Sequence, residues 1–180
     1  MRSFDYIESG KTLLTPHTTS LLAAIHEAKG RQSIQTTIRP DILGTLVAVA
    51  RIQSTDASNR IEGISTSDSR LNDLVSEKVT PRNRNEEEIA GYRDALSVIH
   101  ESHDYIPITP NVILQLHRDL FRHTPLTVAG HFKDSDNVII ERDAHGTSTV
   151  RFAPPSALVT PELIERACSA YTQAIRDGHT

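Results

Sequence analysis

Cysteine is nearly absent from this 180-residue chain: Cys168 is the only one. One thiol excludes an intramolecular disulfide, and a reducing compartment is the simplest setting for it. Cys168 falls among apolar residues of a predicted helix, where burial disfavours the thiolate, so an inert core thiol is expected rather than a reactive one. Long apolar runs are missing too. The stretch Leu46 to Ala50 is far too short to span a bilayer. The opening residues, Met1-Arg2-Ser3-Phe4-Asp5-Tyr6, contain no apolar core of a secretory signal. Nor does either sign of charge dominate. Lys plus Arg is 19 and Asp plus Glu is 23, a net charge of -4. That balance supplies no general field for nucleic acid or anionic membrane. The expectation is a cytoplasmic protein with neither kind of partner. No Gly-rich phosphate loop of the P-loop or dinucleotide type occurs, and there is no repeat or low-complexity tract.

What is present is ordinary for a globular protein: 37% hydrophobic and 23% charged residues, enough chain for one or two domains. The pattern divides into an N-terminal helical region, residues 1–80, and a second region, residues 81–180. Residues 1 to about 16 read as a polar lead-in. Leu21, Leu22, Ile25 and Ala28 give a first helix, Thr18 to Gln32, one apolar face, and Gly30 with the polar run Arg31 to Thr37 is expected to break it. A second helix starts near Pro40 or Asp41. It is apolar on most of its circumference from Ile42 to Ile52, the pattern of a central buried helix, with Gly44 marking close helix contact. Ser67-Asp68 looks like another helix start. Val79 to Asn85 reads as a loop, and Asn85-Glu86-Glu87-Glu88 as a capping box opening a helix with Ile89, Tyr92, Leu96 and Ile99 on one stripe. Thr109-Pro110 and Thr160-Pro161 each read as a threonine N-cap followed by proline. Between those helices the period changes. Asn137 to Glu141 and Thr149 to Phe152 are short and β-branched, joined by Asp143-Ala144-His145-Gly146, which predicts one β-hairpin. An isolated hairpin is marginal in water, so it must lean on helices or on a bound peptide.

Ser58-Asn59-Arg60-Ile61-Glu62-Gly63 fits the pattern [ST]-x-x-x-E-[GN]. It resembles the autoinhibitory helix motif of the Fic (Fido) family of protein adenylyltransferases. Further segments follow in the family's order. Glu86 to Leu96 is similar to its acidic E-I-x-x-Y-x-x-A-L helix, and Leu116-His117-Arg118-Asp119-Leu120 to its L-H-x-x-L helix. Ala129-Gly130-His131-Phe132-Lys133 resembles the A-G-x-[FY]-R approach to the target-docking flap, with Lys133 where the family usually has arginine. Val150 to Pro155 resembles the flap's exit. The catalytic pattern H-x-F-x-[DE]-G-N-G-R-x-x-R matches no segment of the chain.

The resemblance implies a mainly α, Fic-like helical bundle, incomplete, with the hairpin 137–152 as flap. It implies transfer of AMP from ATP, with Mg²⁺, to a Ser, Thr or Tyr hydroxyl of a target protein. This chain then supplies the regulatory and docking part and stops at Thr180 before the chemistry, so it holds no catalytic residues, binds no cofactor tightly and is inactive alone. The rival implication is a non-enzymatic, antitoxin-like inhibitor acting in trans on a separate Fic core. A fragment without a role is the third.

The inhibitory residues are Ser58, Glu62 and Gly63. In the family the matching glutamate pairs with the final arginine of the catalytic motif and competes there with the ATP γ-phosphate, as carboxylate and phosphate do for one guanidinium fork. The bland reading of Glu62 is an exposed helix-end glutamate beside Arg60. Ser58, one turn from Glu62 on the same face, either caps a short helix ending at Gly63 or steadies the motif. The docking residues of the flap are Asn137, Val138, Ile139, Ile140, Val150 and Phe152. The hairpin either covers a helix pair or accepts an extended target segment along its edge. His100 and His103 have i, i+3 spacing near Glu101 and Asp104, but no third ligand is apparent, so no metal is expected. His117 is expected to be hydrogen-bonded and partly buried.

Overall fold

The computed structural model describes residues 10–38 and 40–177. Residues 1–9 of the expected lead-in lie outside them. The element order is α1 (Pro16–Ile38), α2 (Pro40–Ile61), α3 (Asp68–Val75), α4 (Arg84–Ser102), a 3₁₀ turn (His103–Tyr105), α5 (Pro110–Leu120), β1 (Ile139–Arg142), β2 (Ser148–Phe152) and α6 (Thr160–Arg176). Among the described residues the fold is mainly α with one two-stranded antiparallel sheet. None of these helices is long and apolar enough to cross a membrane.

The core sits where the second half of α2 meets α3 and α4. Leu71, Leu74 and Ile89 are buried there, with Ile52, Ile64, Val75 and Val79 packed around them. α2 and α4 run antiparallel: the Arg51 guanidinium bonds the Ser97 hydroxyl, and two turns further along α2 Ser58 lies against Tyr92. Cys168 is buried on α6, while Tyr171 and Ile175 of the same helix are exposed.

Two helices differ from their sequence expectation. α1 does not break at Gly30; it continues to Ile38, with the Ser33 hydroxyl donating back to the Gly30 carbonyl at 2.8 Å. One interior glycine costs only about 1 kcal/mol, too little to end a helix by itself. α2 is not buried along its first half. Leu46 is 57% exposed, and Ile42, Val47 and Val49 are exposed too. The covering elements α3 and α4 begin only opposite its second half, so all-round apolarity here marks an uncovered surface rather than a central helix.

The start signals hold in part. Asn83, not Asn85, caps α4, its side chain accepting the Glu86 amide at 3.1 Å. Thr109 caps α5, accepting the Val112 amide at 3.4 Å, with Pro110 in the first turn. Thr160 does not repeat the device: Val159 occupies the cap of α6, and the Thr160 hydroxyl donates to the Ser156 carbonyl at 2.7 Å.

Close helix contact falls at Gly91, not at Gly44, which faces open space. A Cβ on Gly91 would lie 1.8 Å from the Leu120 carbonyl oxygen. Backbone cannot step aside as a side chain can, so α4 and α5 would have to separate. Gly91→Ala is expected to destabilise the protein by about 3 kcal/mol, the upper range for overpacking. A thermal melt followed by circular dichroism checks this, and an unshifted midpoint would contradict the contact.

Candidate functional site

The last turn of α2 explains why its sequence ends as it does. The Ile64 amide donates to the Asn59 carbonyl at 2.9 Å and the Gly63 amide to the Arg60 carbonyl at 3.0 Å. These two bonds are the Schellman closure, which requires a left-handed residue just past the helix. Gly63 provides it, with φ +76°. Ser58 therefore does not cap a separate short helix. It lies within α2, and its hydroxyl accepts a hydrogen bond from the Tyr92 phenol at 2.9 Å. Beneath, the buried Asn59 amide donates to the Thr55 carbonyl at 2.8 Å.

Ser58, Glu62 and Gly63 line one cavity of about 740 Å³, closed on the other side by α4 and the end of α5. On α4, Glu88 and Tyr92 are one turn apart, as Ser58 and Glu62 are on α2. Tyr92 meets Ser58, so the two glutamates follow on the same side of each helix. Ile64, Leu120 and Phe121 supply the apolar lining. Glu88 accepts from Arg84 Nε at 2.8 Å. Glu62 is exposed and makes no ion pair or side-chain hydrogen bond among the described residues. Its neighbour Arg60 is engaged elsewhere, with Nε 2.7 and 2.8 Å from the two Asp56 carboxylate oxygens. Arg84, Asn59 and Asn85 complete the lining, so the Glu62 carboxylate shares the cavity with polar and cationic groups as well as apolar ones.

Two ionic clusters hold the surrounding helices. The Glu86 carboxylate is buried and bound by the Arg70 guanidinium, by the Arg82 amide at 2.9 Å and by the Thr66 hydroxyl at 3.1 Å. Arg70 draws its pKa down from 4.5 to about 2, helped by the Arg82 amide and the Thr66 hydroxyl, while burial opposes them. Asp94 takes His123 Nε2 at 2.7 Å and the Arg93 guanidinium. Burial pushes its carboxyl up, but the bonds from His123 and Arg93 outweigh it and hold it below the ordinary value.

The second set of expected site residues is the hairpin. Ile139 pairs with Phe152, Ile140 with Val150, Glu141 with Thr149 and Arg142 with Ser148, with a bulge between Ile139 and Ile140. Asn137 and Val138 precede β1 rather than lying in it. Asp143 Oδ1 accepts the His145 and Thr147 amides at 2.9 and 2.8 Å, and Gly146 at φ +83° completes the tip. Every strand residue is exposed, so among the described residues the hairpin covers no helix pair. It is tied at its base instead. Lys133 Nζ donates to Asn137 Oδ1 and to the Pro155 carbonyl, both at 2.6 Å. The Ala157 amide donates to Asp136 at 2.6 Å. Lysine thus bridges both arms as a point donor where a planar fork is not needed. The approach to the hairpin is anchored on α5: His117 Nδ1 accepts the Gly130 amide at 3.0 Å, and the ring meets Phe121 edge-on at 5.2 Å.

Among the described residues no three acidic, histidine or cysteine side chains converge on a metal geometry. His100 and His103 are both exposed, and His103 pairs with Asp104 at 3.3 Å. The structure does not bring the two expected sites together into one cluster; each stands on its own elements. Sequence reasoning missed Tyr92 and Glu88 as wall residues of the cavity. Their i, i+4 spacing was the available signal, but only the fold places that face opposite Ser58 and Glu62. No protein-family model and no curated protein matches the chain.

Proposed function

We propose that this chain is the regulatory and target-docking part of a Fic-type protein adenylyltransferase, a cytoplasmic enzyme that transfers AMP from ATP to a Ser, Thr or Tyr hydroxyl of a target protein. One observation carries the reading: the motif residues Ser58, Glu62 and Gly63 line a single cavity, where the Glu62 carboxylate has no partner among the described residues. In this scheme Glu62 holds the last arginine of a catalytic loop away from the ATP γ-phosphate. The hairpin, a two-stranded sheet among the described residues, accepts an extended target segment along a strand edge by main-chain hydrogen bonds. The sequence has no Gly-rich phosphate loop, and among the described residues no group of three or more acidic, histidine or cysteine side chains could hold a metal ion. No step of the transfer is therefore assigned to the chain's own residues.

The same free carboxylate supports a second reading, in which the guanidinium comes from a separate Fic core and the chain inhibits it in trans. Two assays with labelled ATP and Mg²⁺ separate the readings. Residues 1–180 alone are expected to transfer no label, because the family's catalytic pattern, which supplies proton removal and charge stabilisation, matches no segment of the sequence. Label transfer above a no-protein control would overturn that. Added to a Fic core lacking its own inhibitory helix, the chain should suppress labelling under the second reading and leave it unchanged under the first.

A further inference from the structure

We infer that Tyr92 is a positioning residue for Glu62: its phenol fixes the last turn of α2 and thereby sets how the carboxylate is presented to the cavity. What the carboxylate does there rests on the proposed function; how it is held does not. Ser58 and Glu62 are one helical turn apart on one face, so whatever fixes the first constrains the second. The other bonds of this turn are internal to α2. The Schellman pair runs from residues 63 and 64 back to residues 60 and 59, Asn59 bonds Thr55, and Arg60 Nε bonds Asp56. None of them attaches the turn to another element. Among the described residues, the hydrogen bonds that do so are Tyr92 to Ser58 at 2.9 Å and the exposed contact of Arg60 with Asp68 at 3.5 Å. Packing offers little substitute on the outer side, where Ile61 is 83% exposed.

The test uses the full chain and two variants that each delete half of the contact. Tyr92→Phe keeps the ring, and Ser58→Ala keeps the helix. Backbone amide exchange followed by NMR is expected to quicken about threefold to tenfold at Glu62, Gly63 and Ile64, the size of one net hydrogen bond. Exchange in α3 and the rest of α4 should stay as in wild type. The double variant should match either single one, because both remove the same bond. Unchanged exchange at those three amides, a double variant that multiplies the single effects, or equal quickening throughout α3 and α4 would each overturn the inference. A second readout joins it to regulation. With a Fic catalytic loop supplied, Tyr92→Phe should raise AMP transfer two- to fivefold, and adding it to Glu62→Gly should raise it no further. If Glu62→Gly activates and Tyr92→Phe does not, the inference fails alone. If Glu62→Gly has no effect, the proposed function fails, and the exchange measurement still decides how the turn is held.

Discussion

Glu62→Gly is expected to raise AMP transfer about tenfold or more once a Fic catalytic loop follows this chain, while Arg60→Ala leaves the rate as it was. The asymmetry comes from the partners of two residues only two positions apart. Arg60 already has a carboxylate at its Nε, Asp56 of its own helix, and that pair is exposed. Exposed pairs at this spacing are worth only a few tenths of a kcal/mol, so losing one changes little. Glu62 has no such engagement among the described residues and lines the cavity. A hydrogen-bonded contact with a charged group is worth about 1.5–3 kcal/mol, and 1.4 kcal/mol is a factor of ten. Freeing the arginine for the γ-phosphate should therefore move productive ATP occupancy by at least that factor. Glycine at position 62 also loosens the helix end, so Glu62→Gln serves as the control that keeps the end and removes the charge. The automodification rate of the four proteins is the measurement. Equal rates for wild type and Glu62→Gly would reduce Ser58 to Gly63 to a well-closed helix terminus.

How the fold was legible depends on how local each cause was. Thr109-Pro110 acts through one amide, and the helix starts where those two residues say. The hairpin rests on two short β-branched segments and a turn, and it forms within two residues of its expected bounds. Gly63 ends α2 because only that residue type adopts its left-handed backbone cheaply, again a local cause. Where the outcome depended on covering elements, the sequence misled. The apolar stretch from Ile42 to Val49 reads as buried, but Ile42, Leu46, Val47 and Val49 stay exposed. Gly44 and Gly91 look alike in sequence, and only the approach of Leu120 separates them. The cavity is of this second kind. Ser58 to Gly63 was visible as a motif, and Tyr92 as part of a helix stripe, but their meeting is a property of how α2 and α4 pair.

Glu86→Gln is expected to destabilise the protein about as much as Gly91→Ala, and its effect should be sensitive to acid. It was legible only as an acidic residue in a helix start, where dipole and cap would make it a modest contributor. In the fold it is 3% exposed and binds Arg70, Arg82 and Thr66 together, tying α3 to the start of α4. Glu86→Gln leaves the Arg70 guanidinium facing a neutral group in a part-buried site. Breaking such a pair on one side is expected to cost about 3 kcal/mol at neutral pH, since a charge is left without its counter-ion. The pH dependence follows from the lowered pKa. A carboxyl that titrates near 2 in the folded protein and near 4.5 when unfolded contributes its full stabilisation above about pH 4.5 and loses it as the pH falls toward 2. Glutamine does not titrate. The gap in denaturant midpoint between wild type and Glu86→Gln should therefore stay constant from pH 7 to about 4.5, then close toward pH 2. A gap that persists at pH 2 would mean that shape, not charge, makes the contribution. Replacing both partners, Glu86→Leu with Arg70→Met, should recover much of the loss at neutral pH, because an apolar pair of similar volume leaves no charge to strand.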